Sequence, residues 1–173
     1  MLLLLFSTLA HARELAGVSV PDSATVGGQP VVLNGMGLRE KYYIDVYVGA
    51  LYLAKRTASG SEAIAAESPK RIAMHFVYSQ VTKDQLVESF REGFGHSPAA
   101  PAGAVDQLCG LMSDVKAGDV ITFDYVPGTG TAVSVRGRVK GTIPSREFMV
   151  SLWSVFLGSS PPTARLKAGM LGG

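Results

Sequence analysis

From Tyr42 to Leu53 apolar and polar positions alternate. Tyr42, Ile44, Val46, Val48, Ala50 and Tyr52 fall on one side, and Lys41, Tyr43, Asp45, Tyr47, Gly49, Leu51 and Leu53 on the other. A period of two in β-branched and aromatic residues predicts a strand. The first side is uniformly apolar and is expected to pack on the core. The second is polar at its start and apolar at its end. Arg71 to Tyr78 repeats the pattern, with Ile72, Met74, Phe76 and Tyr78 set against Arg71, Ala73, His75 and Val77. Val120 to Val126 predicts another strand, with Ile121, Phe123 and Tyr125 inward. Pro127-Gly128-Thr129-Gly130 turns it back into a partner that runs from Val133 to about Val139. Upstream, a turn-rich entry at Thr25 to Pro30 leads into a short strand, Val31-Val32-Leu33, which Gly35-Met36-Gly37 is expected to loosen.

Other segments change period. Thr82-Lys83-Asp84-Gln85 has the form of a capping box. Leu86, Val87, Phe90 and Phe94 follow at helical spacing until Gly95. Val105, Leu108, Leu111, Met112 and Val115 predict a helix from Ala104 to Lys116, after a Pro-rich loop at 97–103. Ser145 is placed to cap a helix carrying Phe148, Leu152, Val155 and Phe156, stopped by Gly158 and Pro161-Pro162. Shorter helices are expected over Ser61–Glu67 and Thr163–Met170. The order of elements lacks regular βαβ alternation. It predicts an α+β fold, an antiparallel sheet with helices layered on one face.

The N-terminus carries a different signal. Leu2 to Phe6 is apolar throughout, and small residues lead to Ala10-His11-Ala12. That pattern is expected of a cleavable secretory leader at residues 1–12, with an N-terminal membrane anchor as the rival reading. Residues 13–173 would then form one domain, periplasmic or secreted. The run is about half the ~20 residues of a spanning helix, and no later segment reaches that length either. One cysteine, Cys109, allows no internal disulfide, so the core must stabilise the chain. A net charge of +2 gives no electrostatic footprint for nucleic acid.

Few residues suggest chemistry. His75, His96 and Cys109 do not have zinc-ligand spacing, so no metal is expected. No serine sits in a G-x-S-x-G elbow. Gly35-x-Gly37-x-x-Glu40 precedes a strand rather than a helix, and Gly128-Thr129-Gly130 lacks a following Lys-Ser/Thr. Neither predicts a nucleotide cofactor. Arg136, Arg138 and Lys140 alternate along the last strand, as a solvated face or a stripe for acidic partners. The remaining candidate is Arg39 with its neighbouring tyrosines. A guanidinium offers a forked donor to a carboxylate, a phenol adds a second, and the apolar residues beyond would accept a hydrocarbon body.

Gly35-x-Gly37-x-Arg39, followed by a strand ending Gly49-Ala50-Leu51-Tyr52-Leu53, resembles the chalcone isomerase family. The later order is similar too: the strand and helix around Ile72 to Phe94, Gly118-Asp119 before a strand, and the helix Ser145–Leu157 followed by Gly158. The resemblance runs from about Val31 to Leu171 and is nearest to the bacterial exported chalcone isomerase-like branch. It implies an open-faced β-sandwich. The family's enzymes cyclise chalcones, and other members bind fatty acids without catalysis. In both, the arginine faces the ligand's anionic group, and Arg39 matches it. The enzymes' threonine falls at Tyr47, where a fatty-acid-binding branch has a tyrosine. Their tyrosine and asparagine fall near Leu86 and Gly93, and a later serine or threonine near Val150, none of which supplies the polar group.

A hairpin turning at residues 39–41 would put Arg39 at its tip. Tyr47 would then lie roughly 20 Å along the strand, and Tyr43 would be the nearer phenol. The resemblance thus implies an exported, non-catalytic binder of a fatty acid or similar amphiphilic carboxylate, held by Arg39 with Tyr47 or Tyr43. The expected cavity lies between the sheet and the helices Thr82–Phe94, Ala104–Lys116 and Ser145–Leu157. Two other readings stay open: an isomerase or intramolecular lyase acting on another substrate, and an envelope domain that binds a protein partner and no small ligand.

Overall fold

The computed structural model describes residues 11–173. Strands β1 (Ala12–Leu15) and β2 (Val18–Pro21) form a separate hairpin. Strands β3 (Ser23–Val26), β4 (Gln29–Lys41), β5 (Ile44–Leu53), β6 (Lys70–Phe76), β7 (Val120–Val126), β8 (Gly130–Val135) and β9 (Arg138–Ile143) make one sheet in chain order. Every neighbouring pair in it is antiparallel. Helices α1 (Gly60–Ala65), α2 (Lys83–Gly95), α3 (Ala104–Leu111), α4 (Arg146–Leu157) and α5 (Ala164–Met170) complete the fold. The main core lies between one sheet face and these helices. A smaller cluster that includes Val20, Val26, Val31 and Leu33 covers the other face. This is the expected α+β sandwich, with the β1–β2 hairpin as an addition the alternation did not reveal. The expected leader falls largely on residues 1–10, outside the described residues.

Local signals set the helix starts. Thr82 and Gln85 form a reciprocal capping box on α2, and Ser145 and Thr163 cap α4 and α5. Each satisfies backbone N–H groups that the first turn leaves without partners. α3 stops at Leu111, earlier than the apolar spacing suggests. Met112 is already extended, and Val115 instead forms a bridge with Val81.

The β4–β5 hairpin departs most from expectation. β4 does not loosen at Gly35 but runs for 13 residues. A bulge at Asn34 lets it bend, and the Asn34 side chain donates to the carbonyls of Thr57 and Met170. The turn is made by Tyr42 and Tyr43, both at positive φ, and not by residues 39–41. The side of β5 expected to be solvated at its start is the helix side, where Tyr47, Leu51 and Leu53 join the main core. Ala50 and Tyr52, on the side read as core-facing, pack under β2, β3 and β4 instead. Both faces of β5 are therefore covered, which alternation alone does not predict.

Glycines at fixed parity explain how α5 docks. Gly35 and Gly37 lie on the helix face of β4, opposite Leu51 and Gly49. A Cβ on Gly37 would stand 2.1 Å from the Leu166 carbonyl oxygen, and one on Gly35 2.2 Å from that of Gly169. Only bare backbone lets a helix settle directly on the strand at this distance. The next residue on the same face, two further along, is Arg39. It emerges where α5 begins.

Candidate functional site

Arg39 and Tyr47 are direct cross-strand partners in the β4–β5 ladder. Directly opposed residues of an antiparallel pair project to the same face with Cβ atoms about 5 Å apart. The turn at Tyr42-Tyr43 thus sets the guanidinium beside the Tyr47 phenol, rather than separating them along the strand. Both line a cleft of about 440 Å³ between the sheet, α2, the end of α4 and residues 160–162. That volume lies within the range of small-molecule sites.

The polar end of the cleft has spare donors. Arg39 Nη1 donates to the Pro162 carbonyl at 2.7 Å and to the Glu40 carbonyl at 3.2 Å. Among the described residues, its Nε and Nη2 have no hydrogen-bond partner, and neither does the Tyr47 hydroxyl. Tyr47 is buried at 6% exposure, and its ring packs tilted against Phe76 at 5.6 Å. Burial pushes the phenol's pKa well above its ordinary value, with the Arg39 charge pulling weakly the other way. Tyr47 therefore keeps its proton and stands as a neutral donor beside a fixed positive charge.

The rest of the cleft is largely apolar. Met74, Phe76, Leu86, Phe90, Val155 and Phe156 form its walls. α2 supplies one wall because Gly93 lets it cross α4 closely, with a Cβ there only 2.6 Å from Val155 Cγ1. Leu86 and Gly93, near which the resemblance places the enzymes' tyrosine and asparagine, both line the cleft and are apolar or bare. α3 does not line it, a correction to the expected three-helix enclosure. Gln85, Glu88, Ser89, Glu92, His96 and Ser160 also reach the cleft, so its α2 rim carries two carboxylates. Ser89 went unmarked in the sequence because an isolated serine on an amphipathic helix resembles any surface serine. Its place one turn from both Gln85 and Gly93 is the one available clue.

Tyr43 does not reach this site. It is fully exposed at the hairpin tip, 102% relative to an extended reference, and does not line the cleft. Asp45 pairs in register with Glu40, is exposed, and also lies outside the cleft, so no carboxylate of β5 opposes Arg39. Among the described residues no cluster of His, Cys, Asp and Glu could hold a metal, and no helix is long and apolar enough to cross a membrane. The basic stripe is divided. Arg136 sits in a turn bonded to Asp119 and the Asp114 carbonyl, while Arg138 and Lys140 are exposed on edge strand β9.

Comparison with known proteins agrees with this architecture. The crystal structure of an Arabidopsis thaliana fatty-acid binding protein is similar at a TM-score of 0.75 and 18% identity, covering 93% of this chain and 96% of that one. At that identity the likeness speaks for the fold. No curated protein sequence matches the chain. The family model described as chalcone isomerase-like matches residues 12–172. With the match spanning nearly all the described residues, the chain belongs to the chalcone isomerase-like family.

Proposed function

We propose that this protein is an exported, non-catalytic binder of a fatty acid or similar amphiphilic carboxylate. The observation that carries the reading is the register pair Arg39 and Tyr47: neighbouring donor groups with N–H and O–H positions unpaired among the described residues, at one end of a cleft with apolar walls and a polar α2 rim. Arg39 holds the carboxylate through Nε and Nη2, Tyr47 donates a further hydrogen bond, and the chain lies between α2 and the sheet. The similar Arabidopsis protein is named for fatty-acid binding, which supports the ligand class. Leu86 and Gly93 support the non-catalytic part, because neither offers a proton donor or acceptor to a reacting enone. Export follows the leader-like pattern of residues 1–12.

Calorimetric titration with a long-chain fatty acid and with its methyl ester tests the ligand. The acid is expected to bind more tightly. Arg39→Ala is expected to weaken the acid by about 10- to 150-fold, the worth of a charge-assisted hydrogen bond, and to leave the ester unchanged. Equal affinity for acid and ester in the unmodified protein would overturn the reading.

A further inference from the structure

Among the described residues four tight turns place two successive residues at positive φ: Ala16-Gly17, Gly27-Gly28, Tyr42-Tyr43 and Arg136-Gly137. This is the primed turn that suits a two-residue hairpin, and it favours glycine because side chains crowd the backbone there. Three of the four have glycine at the second position. The β4–β5 turn alone has none, and holds two tyrosines at φ 50° and 63°. Bulky residues in that region are uncommon and carry a conformational cost. Glycine at position 43 is expected to relieve that cost, and the fully exposed Tyr43 is not part of the core.

What the turn presents is an aromatic tip. Of the five exposed large hydrophobic residues among those described, four belong to this end: Tyr42, Tyr43, Ile44 and Tyr78. Tyr78 is tied to the base of β5 by its N–H to the Val46 carbonyl. The Lys41 ammonium lies over the Tyr42 ring at 5.8 Å. Glu40 is occupied by Arg165 at 2.9 Å, and Lys41 and Asp45 offset each other, so the tip has little net charge. Phenols, a branched aliphatic and a lysine offset by Asp45 match the water–lipid interface, where amphipathic rings are favoured. They do not match a charged protein surface or nucleic acid. Lys41, Tyr42 and Ile44 also line the cleft, which therefore opens beside the tip.

We propose that the Tyr42-Tyr43 tip docks this protein on the interface of a phospholipid bilayer, with the cleft mouth facing the lipid. The docking rests on the tip alone. Its purpose, the transfer of an amphiphile between bilayer and cleft, rests on the ligand reading given above.

The test is sedimentation of the full chain with vesicles of pure phosphatidylcholine and of phosphatidylcholine–phosphatidylglycerol at seven to three. Binding is expected to both, and to survive added salt because charge contributes little. Tyr43→Gly gives this turn the residue its three counterparts have. It is expected to lower vesicle partitioning about fivefold or more by removing one interfacial ring. It should leave the melting temperature equal or higher, and dodecanoate affinity in solution unchanged. In Tyr43→Trp, emission is expected to shift to the blue with vesicles and to be quenched by brominated lipid, whereas the buried Trp153 does not respond. Absence of vesicle binding by the unmodified protein, or equal partitioning of Tyr43→Gly, would overturn the proposal, as would Tyr43-dependent self-association that replaces vesicle binding. Vesicle binding without dodecanoate binding would support the docking and remove only the ligand reading.

Discussion

Arg39 is held by Pro162 on one edge and open on the other. Its Nη1 donates to the Pro162 carbonyl at 2.7 Å, while Nε and Nη2 have no partner among the described residues and the side chain lines the cleft. Pro162 immediately precedes the Thr163 cap of α5, and α5 sits on Gly35 and Gly37. The spacing Gly35-x-Gly37-x-Arg39 is thus one physical device. Two bare positions admit the helix, and the third position on the same face receives the carbonyl that orients the guanidinium. A lysine could reach either the carbonyl or a ligand, since its ammonium is a point donor rather than a fork. Arg39→Lys is expected to keep the fold and recover no more than part of the affinity lost in Arg39→Ala. Calorimetric titration of the fatty acid against both variants checks this. Full recovery would show that charge without geometry is sufficient.

Tyr47 separates binding from stability. Its hydroxyl has no partner among the described residues, so Tyr47→Phe removes a donor without leaving one of their groups unsatisfied. The melting temperature is expected to stay the same or rise slightly. Affinity for the fatty acid should fall by roughly 2- to 13-fold, the worth of one neutral hydrogen bond. A large loss of stability instead would mean that the hydroxyl serves the core.

Sequence reasoning reached the fold class and the helix caps because those signals are local. Thr82 and Gln85 are three residues apart, and Ile121, Phe123 and Tyr125 alternate without interruption. It placed Arg39 and Tyr47 as candidates but not their mutual position. That position depends on the turn, and two tyrosines are poor turn residues by every local rule. β4 was shortened for a related reason. Glycine reads as a breaker, and the reason for Gly35 and Gly37 lies some 130 residues away, in α5. The two faces of β5 were exchanged because both are covered, and a doubly buried strand carries no reliable sign of which side meets the helices. Lys70 was invisible. A lysine in a strand normally marks solvent, whereas this one is fully buried.

Gly37→Ala tests the packing half of the Gly35-x-Gly37-x-Arg39 device. The added Cβ would meet backbone atoms of Leu166, which cannot rotate away as a side chain could. Overpacking against backbone is expected to cost about 3 kcal/mol. For a chain of this size that lowers the melting temperature by roughly 6–12 °C. Because Pro162 leads directly into the Thr163 cap of α5, fatty-acid affinity should fall as well, although the cleft walls are untouched. Thermal melting and titration of the same variant give both readings. An unchanged melting temperature would mean that α5 is not seated as described.

Lys70 predicts an alkaline gain in stability. Its Nζ donates to the carbonyls of Ala63, Ile64 and Ala66, each at 2.9 Å, and lies over the rings of Tyr125 and Trp153. Burial nevertheless lowers its pKa from 10.5 to about 8, with Glu67 opposing the shift and Arg146 adding to it. Between those two values the unfolded chain holds a proton that the folded chain has released. Stability then rises with pH, because the state binding more protons is the unfolded one. The cleanest window is pH 8 to 9. Cys109, whose pKa burial raises from 9.0, begins to oppose it towards the top of this window. Above the window Tyr47, Tyr52 and Tyr125, whose pKa values burial also raises, retain protons in the fold and act in the same opposing direction. Across the window Lys70 alone is expected to add about 1 kcal/mol to the unfolding free energy, from which Cys109 takes away a part. Lys70→Met should abolish that slope. It should also destabilise the protein at neutral pH by about 1–3 kcal/mol, since the three carbonyls lose their shared donor. Urea unfolding at pH 7, 8 and 9 for both proteins measures the two effects together. A pH slope that persists in Lys70→Met would assign the titration to another group.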